Sequence, residues 1–297
     1  MSIRTTIIKK LAALQMAGWS EGPIDVQRAR QEKRIGRIPL PADVQCQPAN
    51  IDGVPVEWIT APGAGNDAIL YLHGGAYTIG SINTARELAA RLARATNARA
   101  LAVEYRLAPE HPHPAAVEDA LTVYHWLREE VAPSRIILAG DSAGGGLALA
   151  TLVALRDAAE PLPAGAVCIS PWADLALTGD SIKNKAAADP ILDPDSLAMY
   201  AGYYAGDQAL TSPLLSPLYA DFKGLPPLLI PVGTEEILLD DAVRCAGKAR
   251  EAGAEVTLEI WDEMFHVFQM LPFFPETKNA VEHIAAFVAR RFASPTT

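Results

Sequence analysis

Ser142 is the residue with the clearest chemical potential in this sequence. It lies in a Gly-x-Ser-x-Gly pentapeptide at residues 140–144, between the apolar run 136–139 and a helix-period segment. This pattern predicts a strand, a sharp turn and a helix, with the serine hydroxyl held clear of the backbone by the turn. Small flanking residues let the strand and the helix approach closely. We therefore expect Ser142 to be a nucleophile, with the helix N-terminus facing any oxyanion that forms.

A glycine-rich turn can also cradle a phosphate in a nucleotide-binding enzyme. Here no Gly-Lys-Ser/Thr follows the turn, and residues 140–146 do not supply Gly-x-Gly-x-x-Gly. The pentapeptide alone does not decide between a catalytic turn and a purely structural one, because motifs this short recur by chance. A second motif is needed to decide.

The second motif is His-Gly-Gly-Ala at residues 73–76, directly after the apolar run 68–72. Backbone N–H groups beside glycine can point at one oxygen without obstruction by side chains. We expect an oxyanion hole formed by the N–H groups of Gly74, Gly75 and Ala143. A plain turn is the competing interpretation, but two such motifs at two strand ends favour the catalytic one.

The candidate general base is His266, which follows the predicted strand at residues 256–261. A histidine downstream of the serine fits the chain order nucleophile, acid, histidine. The other five histidines lie in the glycine segment, in a proline-rich loop or on predicted helices: His73, His111, His113, His125 and His283. His111 and His113 stand two apart without a third and fourth ligand at zinc-like spacing, so we expect no metal site.

Short runs of Val, Ile and Leu alternate with helix-period segments along the chain. This alternation predicts an α/β fold, a mostly parallel twisted sheet with helices on both faces. The predicted strands are residues 54–60, 68–72, 98–104, 135–139, 165–170, 228–232 and 256–261. The predicted helices are residues 84–96, 115–130, 143–157, 240–252 and 276–292.

Two long regions interrupt the alternation, residues 1–50 and about 175–224. Segments this long without strands are usually functional in a compact domain. We expect both to form a helical cap over the active site. The predicted organisation is an N-terminal cap segment, 1–50, and a catalytic domain, 51–297, with a cap insertion at about 175–224.

Composition excludes several classes of partner and location. The formal net charge is −10, so no positive field exists to attract nucleic acid. No apolar run is long enough for a membrane span, and the first 19 residues lack the pattern of a secretion signal. Three scattered cysteines, Cys46, Cys168 and Cys245, argue against a disulfide framework and a zinc ribbon and indicate a reducing, cytoplasmic setting.

Taken together, these motifs resemble the bacterial hormone-sensitive lipase-like esterases, a branch of the α/β-hydrolase fold. The resemblance spans residues 54–292, and it includes Tyr-Arg-Leu-Ala-Pro-Glu at 105–110 and Ser-Pro-Trp-x-Asp-Leu at 170–175. It implies that the region before the first strand and a late insertion form the cap. It also implies a preference for short to medium acyl esters. Ala76 stands where the family has a third glycine.

The resemblance also supplies the acid of the predicted triad. The family usually carries Gly-x-x-Asp-x-Leu-x-Asp, and residues 233–240 read Gly-Thr-Glu-Glu-Ile-Leu-Leu-Asp, which places Glu236 at the acid position. Either carboxylate can orient a histidine and stabilise its charged form. Asp240 is the alternative, although Asp240 and Asp241 begin a helix, where carboxylates are favoured without any catalytic role.

The expected reaction is hydrolysis of small to medium apolar carboxylic esters through an acyl-enzyme, with no cofactor or metal. Hydrolysis of lactones or amides by the same triad stays open. A non-catalytic receptor on the same fold is another possibility, which a complete nucleophile and base disfavour.

Aromatic residues near the motifs are candidates for an apolar substrate pocket. They are Tyr77, Trp172, Tyr203, Tyr204 and Phe265, and plain core packing is the alternative for each. The predicted strand at 256–261 comes late in the chain, so it could form an exposed sheet edge. Unpaired edges invite pairing, and we therefore expect a homodimer through this strand.

Overall fold

The computed structural model describes residues 13–14 and 18–293, so part of the predicted N-terminal segment and the last four residues lie outside it. Its strands are β1 (Gln45–Ile51), β2 (Val54–Thr60), β3 (Ala68–Leu72), β4 (Arg99–Val103), β5 (Ile136–Asp141), β6 (Gly165–Ile169), β7 (Leu228–Gly233) and β8 (Val256–Trp261). They form one sheet in the order β1-β2-β4-β3-β5-β6-β7-β8. β2 is antiparallel to both neighbours and the other pairs are parallel, which confirms the predicted α/β-hydrolase sheet.

The five predicted helices are present, with ends that differ by at most two residues, and the described chain has three further helices within residues 1–50 and 175–224. They are α1 (Ile24–Arg34), α2 (Ile82–Thr96), α3 (Ala115–Glu130), α4 (Ala143–Asp157), α5 (Ser181–Asn184), α6 (Pro194–Ala205), α7 (Leu239–Glu251) and α8 (Pro275–Ala293). α2 begins two residues before its predicted start because Ser81 and Thr84 form a reciprocal capping box there.

Side chains of the central strands alternate between two layers of core. In β3, Leu70 packs in the cluster that includes α3, α4 and α7, whereas Ile69 and Tyr71 pack in the cluster that includes α2 and α8. All five residues of β3 are buried, as expected for a strand covered on both faces. This sandwich fixes the carboxyl ends of β5, β7 and β8, from which the candidate site is built.

The sequence did not predict β1. Residues 45–51 pair antiparallel with β2, so the last residues of the segment 1–50 belong to the sheet. Six of the seven residues of β1 are exposed, and Pro48 is one of these six. An edge strand of this kind has no apolar alternation to reveal it.

The segment 175–224 lies between β6 and β7 and holds α5, α6 and a short 3-10 turn at Pro217–Tyr219. At the far edge of the sheet, β8 pairs only with β7 among the described residues. None of the described helices has the length and apolar character needed to cross a membrane.

Candidate active site

Ser142 stands between the end of β5 and the start of α4, with φ 56° and ψ −121°. A non-glycine residue rarely adopts such a conformation, and surrounding contacts must hold it there. The Ser142 N–H donates to the carbonyl of Ile169 (2.8 Å), and its own carbonyl accepts from the N–H of Trp172 (2.9 Å). A Cβ at Gly144 would lie 2.0 Å from the carbonyl oxygen of Leu72, so only glycine fits beside the turn.

Three side chains from three separate loops meet at this turn. Ser142 Oγ lies 2.9 Å from His266 Nε2, and His266 Nδ1 lies 2.9 Å from Glu236 Oε2. His266 follows β8 and Glu236 follows β7, so both loops leave the same edge of the parallel sheet as Ser142. The serine can donate to Nε2 when Nδ1 carries the proton and donates to the glutamate.

Glu236 is fully buried and both of its carboxylate oxygens are used. Oε2 faces His266, while Oε1 accepts from the hydroxyl of Ser170 (2.9 Å) and the N–H of Gly233 (2.5 Å). Asp240, the alternative acid, lies at the start of α7 and instead accepts from the N–H of Ser181 (2.8 Å). The geometry therefore favours Glu236 as the partner of His266.

Opposing effects act on the pKa of His266. Burial lowers it, but the hydrogen bond and the negative charge of Glu236 raise it, and the charges of Asp189 and Asp141 add to this. The net result is a pKa above the ordinary value of histidine. The surrounding carboxylates thus favour the imidazolium that would form if His266 accepted a proton from Ser142.

In the glycine segment after β3, one of the N–H groups expected to form the oxyanion hole, that of Gly74, already has a hydrogen-bond partner. The Gly74 N–H donates to Asp141 Oδ1 (3.1 Å), which also accepts from the Tyr71 hydroxyl (2.7 Å), so Gly74 is already engaged. In the described part of the chain the N–H groups of Gly75, Ala76 and Ala143 have no hydrogen-bond partner. Gly75 has φ +121°, and a Cβ there would lie 2.1 Å from the carbonyl oxygen of Ile79.

A largely apolar cavity opens onto Ser142 and His266. Its wall comes from the N-terminal region, from the segment 175–224 and from the loop that carries His266. The larger apolar side chains that line it include Trp19, Ile35, Ile79, Ile191, Leu192, Leu197, Phe265, Val267, Met270 and Leu271, and Gln31 and Thr84 add polar groups. The serine and histidine thus face a space suited to an apolar molecule.

Comparison with known proteins identifies the family of this chain. A family model described as the alpha/beta hydrolase fold matches residues 69–270. An acetyl-hydrolase of Streptomyces hygroscopicus is 45% identical over 262 residues, which cover 87% of this chain and 86% of that protein. An esterase of Acinetobacter venetianus is 39% identical over 253 residues, 84% of each chain.

A solved structure extends this similarity to nearly the whole length. An esterase from the bacterial hormone-sensitive lipase family has a TM-score of 0.94 and 44% identity, with 99% of both chains covered. The chain belongs to the bacterial hormone-sensitive lipase-like esterases of the α/β-hydrolase fold. This confirms the resemblance and the enzyme class that the sequence motifs indicated.

Most aromatic residues predicted to line the pocket of this esterase do not reach the cavity. Only Phe265 lines it. Tyr77, Trp172 and Tyr204 are fully buried in the core, where Tyr77 stacks on Tyr204 at 3.8 Å between ring centroids. Tyr203 is exposed and lies beside Tyr200. Residue type alone does not distinguish a ring packed in the core from one that faces a cavity.

The sequence missed most of the apolar side chains that do line the cavity. Trp19 and Ile35 come from the N-terminal region, while Ile191, Leu192 and Leu197 come from the segment 175–224. The sequence indicated only that two long regions without predicted strands are typical of a lid or binding segment, and it did not indicate which of their residues face the cavity.

The His111-x-His113 loop of this esterase lies next to α6. His113 Nδ1 is 3.0 Å from Gln208 Oε1, and Gln208 donates from Nε2 to the carbonyl of His113 (2.9 Å). His111 is exposed. Residues 13–14 and 18–293 contain no group of three or more His, Cys, Asp or Glu side chains placed to hold a metal ion.

Proposed function

We propose that this esterase hydrolyses small to medium apolar carboxylic esters through a Ser142–His266–Glu236 triad and an acyl-enzyme. The observation that carries the proposal is the continuous hydrogen-bond path from Ser142 Oγ to His266 and Glu236, 2.9 Å at each step, at the wall of an apolar cavity. Both distances lie within the reach required for proton transfer and for orienting the base.

The triad would act in two steps. His266 takes the proton of Ser142 as Oγ attacks the ester carbonyl, and it returns that proton to the leaving alcohol. The acyl group then remains on Ser142. Water activated by the same histidine attacks the acyl-enzyme and releases the acid, while Glu236 orients His266 and stabilises its charged form.

The oxyanion would be stabilised by backbone donors. We assign this role to the N–H groups of Gly75, Ala76 and Ala143, which are unpaired in the described residues and flank Ser142 and the cavity. Gly74 would act indirectly, since its N–H binds Asp141 and so fixes the segment that carries the donors. Donors held in place before the reaction need no reorganisation when charge develops.

The cavity wall supports the substrate class and the cap. Apolar side chains of the N-terminal region and of the segment 175–224 close over Ser142, so we propose that these segments form the cap. An apolar pocket favours an uncharged acyl or alcohol group. The similarity to a Streptomyces acetyl-hydrolase supports short acyl groups, and three free cysteines support a reducing, cytoplasmic location.

Replacement of the nucleophile tests this proposal. Ser142→Ala should lower kcat on a nitrophenyl ester by about 10⁴- to 10⁶-fold, because the attacking oxygen is lost. The matched control is Ser212→Ala, whose side chain does not line the cavity and should leave kcat unchanged. A serine-directed organophosphate should label the wild type and the control but not Ser142→Ala.

The same assay separates the related activities. Esters, lactones and amides of matched size would be compared on the wild type, with esters expected to react fastest. A folded Ser142→Ala protein that retains most of the wild-type turnover would show that another residue is the nucleophile.

A further inference from the structure

Asp189 is a buried carboxylate that the reaction steps above do not use. It lies in the segment 175–224 and is 8% exposed. Its Oδ1 accepts from the N–H groups of Ile191 (2.9 Å) and Leu192 (3.0 Å). Its Oδ2 accepts from the N–H of Ile237 (3.0 Å), 48 residues away in the sequence. One side chain thus joins two distant parts of the chain.

Both parts bear directly on the candidate active site. Ile191 and Leu192 form part of the cavity wall, whereas Ile237 is the residue after Glu236. The contacts of Asp189 therefore link the wall that would hold the substrate to the loop that carries the acid. A shift of either part would move the other.

Residue 237 is also held from its other side by the same segment. The Ser181 hydroxyl donates to the carbonyl of Ile237 (2.6 Å) and accepts from the N–H of Asp240 (3.0 Å). The segment 175–224 therefore binds both the N–H and the C=O of Ile237, through Asp189 and Ser181. This fixes the backbone at the point from which the Glu236 side chain extends to His266.

We propose that Asp189 is a positioning residue for ester hydrolysis, which sets the place of the Glu236 loop relative to the cavity wall. The inference rests on the proposed triad, because Glu236 matters to turnover only if it orients His266. Small displacements of a catalytic group can cost about 100-fold in rate. The cap of this esterase would thus help to build the triad as well as cover it.

Charge gives Asp189 a second, separable effect. Three carboxylates act on His266 from different elements: Glu236 after β7, Asp189 in the cap insertion and Asp141 at the end of β5. Each raises the pKa of His266. Burial raises the pKa of Asp189 itself to about 6, so the carboxylate is mainly charged at neutral pH.

The test is Asp189→Asn, which keeps size and shape but removes the charge and one acceptor oxygen. We expect kcat on a nitrophenyl ester to fall by about 10- to 100-fold. We also expect the acid limb of the kcat/KM profile to move to lower pH, because His266 loses a negative neighbour. A purely structural role would not move that limb.

The matched control is Asp193→Asn. Asp193 lies four residues on, and its carboxylate accepts from the N–H and the hydroxyl of Ser196 at the start of α6. Asparagine caps a helix about as well as aspartate, so this variant should keep the fold, the wild-type kcat and the acid limb. The proposal is overturned if folded Asp189→Asn shows wild-type kcat and an unmoved limb, or if both variants behave alike.

Circular dichroism and thermal unfolding establish that each variant is folded. If Asp189→Asn does not fold, Ser181→Ala is the second test. It removes the other hydrogen bond between the segment 175–224 and Ile237. An unchanged kcat in Ser181→Ala would then overturn the proposal. Glu236→Gln keeps the two failures apart. If its kcat falls while Asp189→Asn matches the wild type, the triad stands and the positioning role falls.

Discussion

Ser142 is held in its unusual backbone conformation by hydrogen bonds at both its N–H and its carbonyl. The N–H binds the end of β6, and the carbonyl binds the N–H of Trp172 beyond that strand. A strained residue persists only when its surroundings fix it in this way. The hydroxyl therefore reaches His266 from a fixed backbone position, which β6 and the residues after it support, while β7 and β8 carry the glutamate and the histidine.

The protonation of His266 predicts how activity depends on pH. A general base must be neutral in the free enzyme, so kcat/KM should fall as pH falls through the His266 pKa. Because this pKa is raised, the loss should begin above the ordinary value of about 6.5. Initial rates on a nitrophenyl ester from pH 9 to pH 5 measure it. A profile that stays flat over this range would contradict the role of His266.

Two candidate acids can be compared directly by substitution. Glu236→Gln removes the charge that stabilises the imidazolium and the acceptor that orients it, so kcat should fall by about 10⁴-fold. Asp240→Asn should leave kcat close to wild type and cost at most about 1 kcal/mol of stability at the start of α7. Glu236→Asp should impair kcat without abolishing activity, because the shorter side chain withdraws from His266.

Steady-state kinetics on folded proteins decide this comparison. A large loss in Asp240→Asn together with a small one in Glu236→Gln would place the acid on α7. Such a result would also show that the family alignment of residues 233–240 is displaced by four positions.

At the scale of elements, apolar patterns in the sequence predicted the strands and helices that are buried in the core. The buried strand β3 reads as an unbroken apolar run, and α4 has its predicted start because the serine turn precedes it. β1 escaped because its exposed, proline-containing sequence carries no pattern of burial. The meeting of Ser142 and His266 was predictable because both follow strand ends, and Glu236 was predictable from the family resemblance. The cavity wall instead depends on how the N-terminal region and the segment 175–224 pack, which periodicity does not encode.

The N-terminal helix offers a test of the cap. Arg28 of α1 donates from Nε to the carbonyl of Thr78 and from Nη2 to that of Ala108, 2.8 Å each, and it pairs with Glu110. Because α1 also carries Gln31 of the cavity wall, Arg28→Ala should loosen the wall and raise KM several-fold, with a smaller effect on kcat.

The matched control is Glu110→Gln, which removes only the ion pair. Since Glu110 is largely exposed, this change should cost no more than about 1 kcal/mol and leave KM nearly unchanged. Limited proteolysis should cleave Arg28→Ala near α1 faster than either the control or the wild type. Equal KM values in all three proteins would show that α1 does not shape the substrate site.

At the scale of the molecule, one parallel sheet brings together groups that are far apart in the sequence. The loops after β5, β7 and β8 leave the same edge, so Ser142, Glu236 and His266 meet although 124 residues separate the first from the last. The sheet has two outer strands with different chemistry. β1 carries Pro48 and three polar side chains, while β8 carries the apolar Ile260 and Trp261.

This difference predicts a homodimer that pairs through β8. An outer strand without proline presents unpaired backbone groups, and Ile260 is 51% exposed, so two copies can join their sheets and bury apolar surface. Ile260→Lys should disrupt the pairing because a charged side chain opposes close approach of the edges. Gln47→Lys on β1 is the control and should leave the assembly intact. Light scattering after gel filtration should give twice 31.7 kDa for the wild type and the control, and the monomer mass for Ile260→Lys. A wild-type protein that is monomeric at micromolar concentration would contradict the dimer, and a dimer lost in Gln47→Lys but kept in Ile260→Lys would move the interface to the opposite edge.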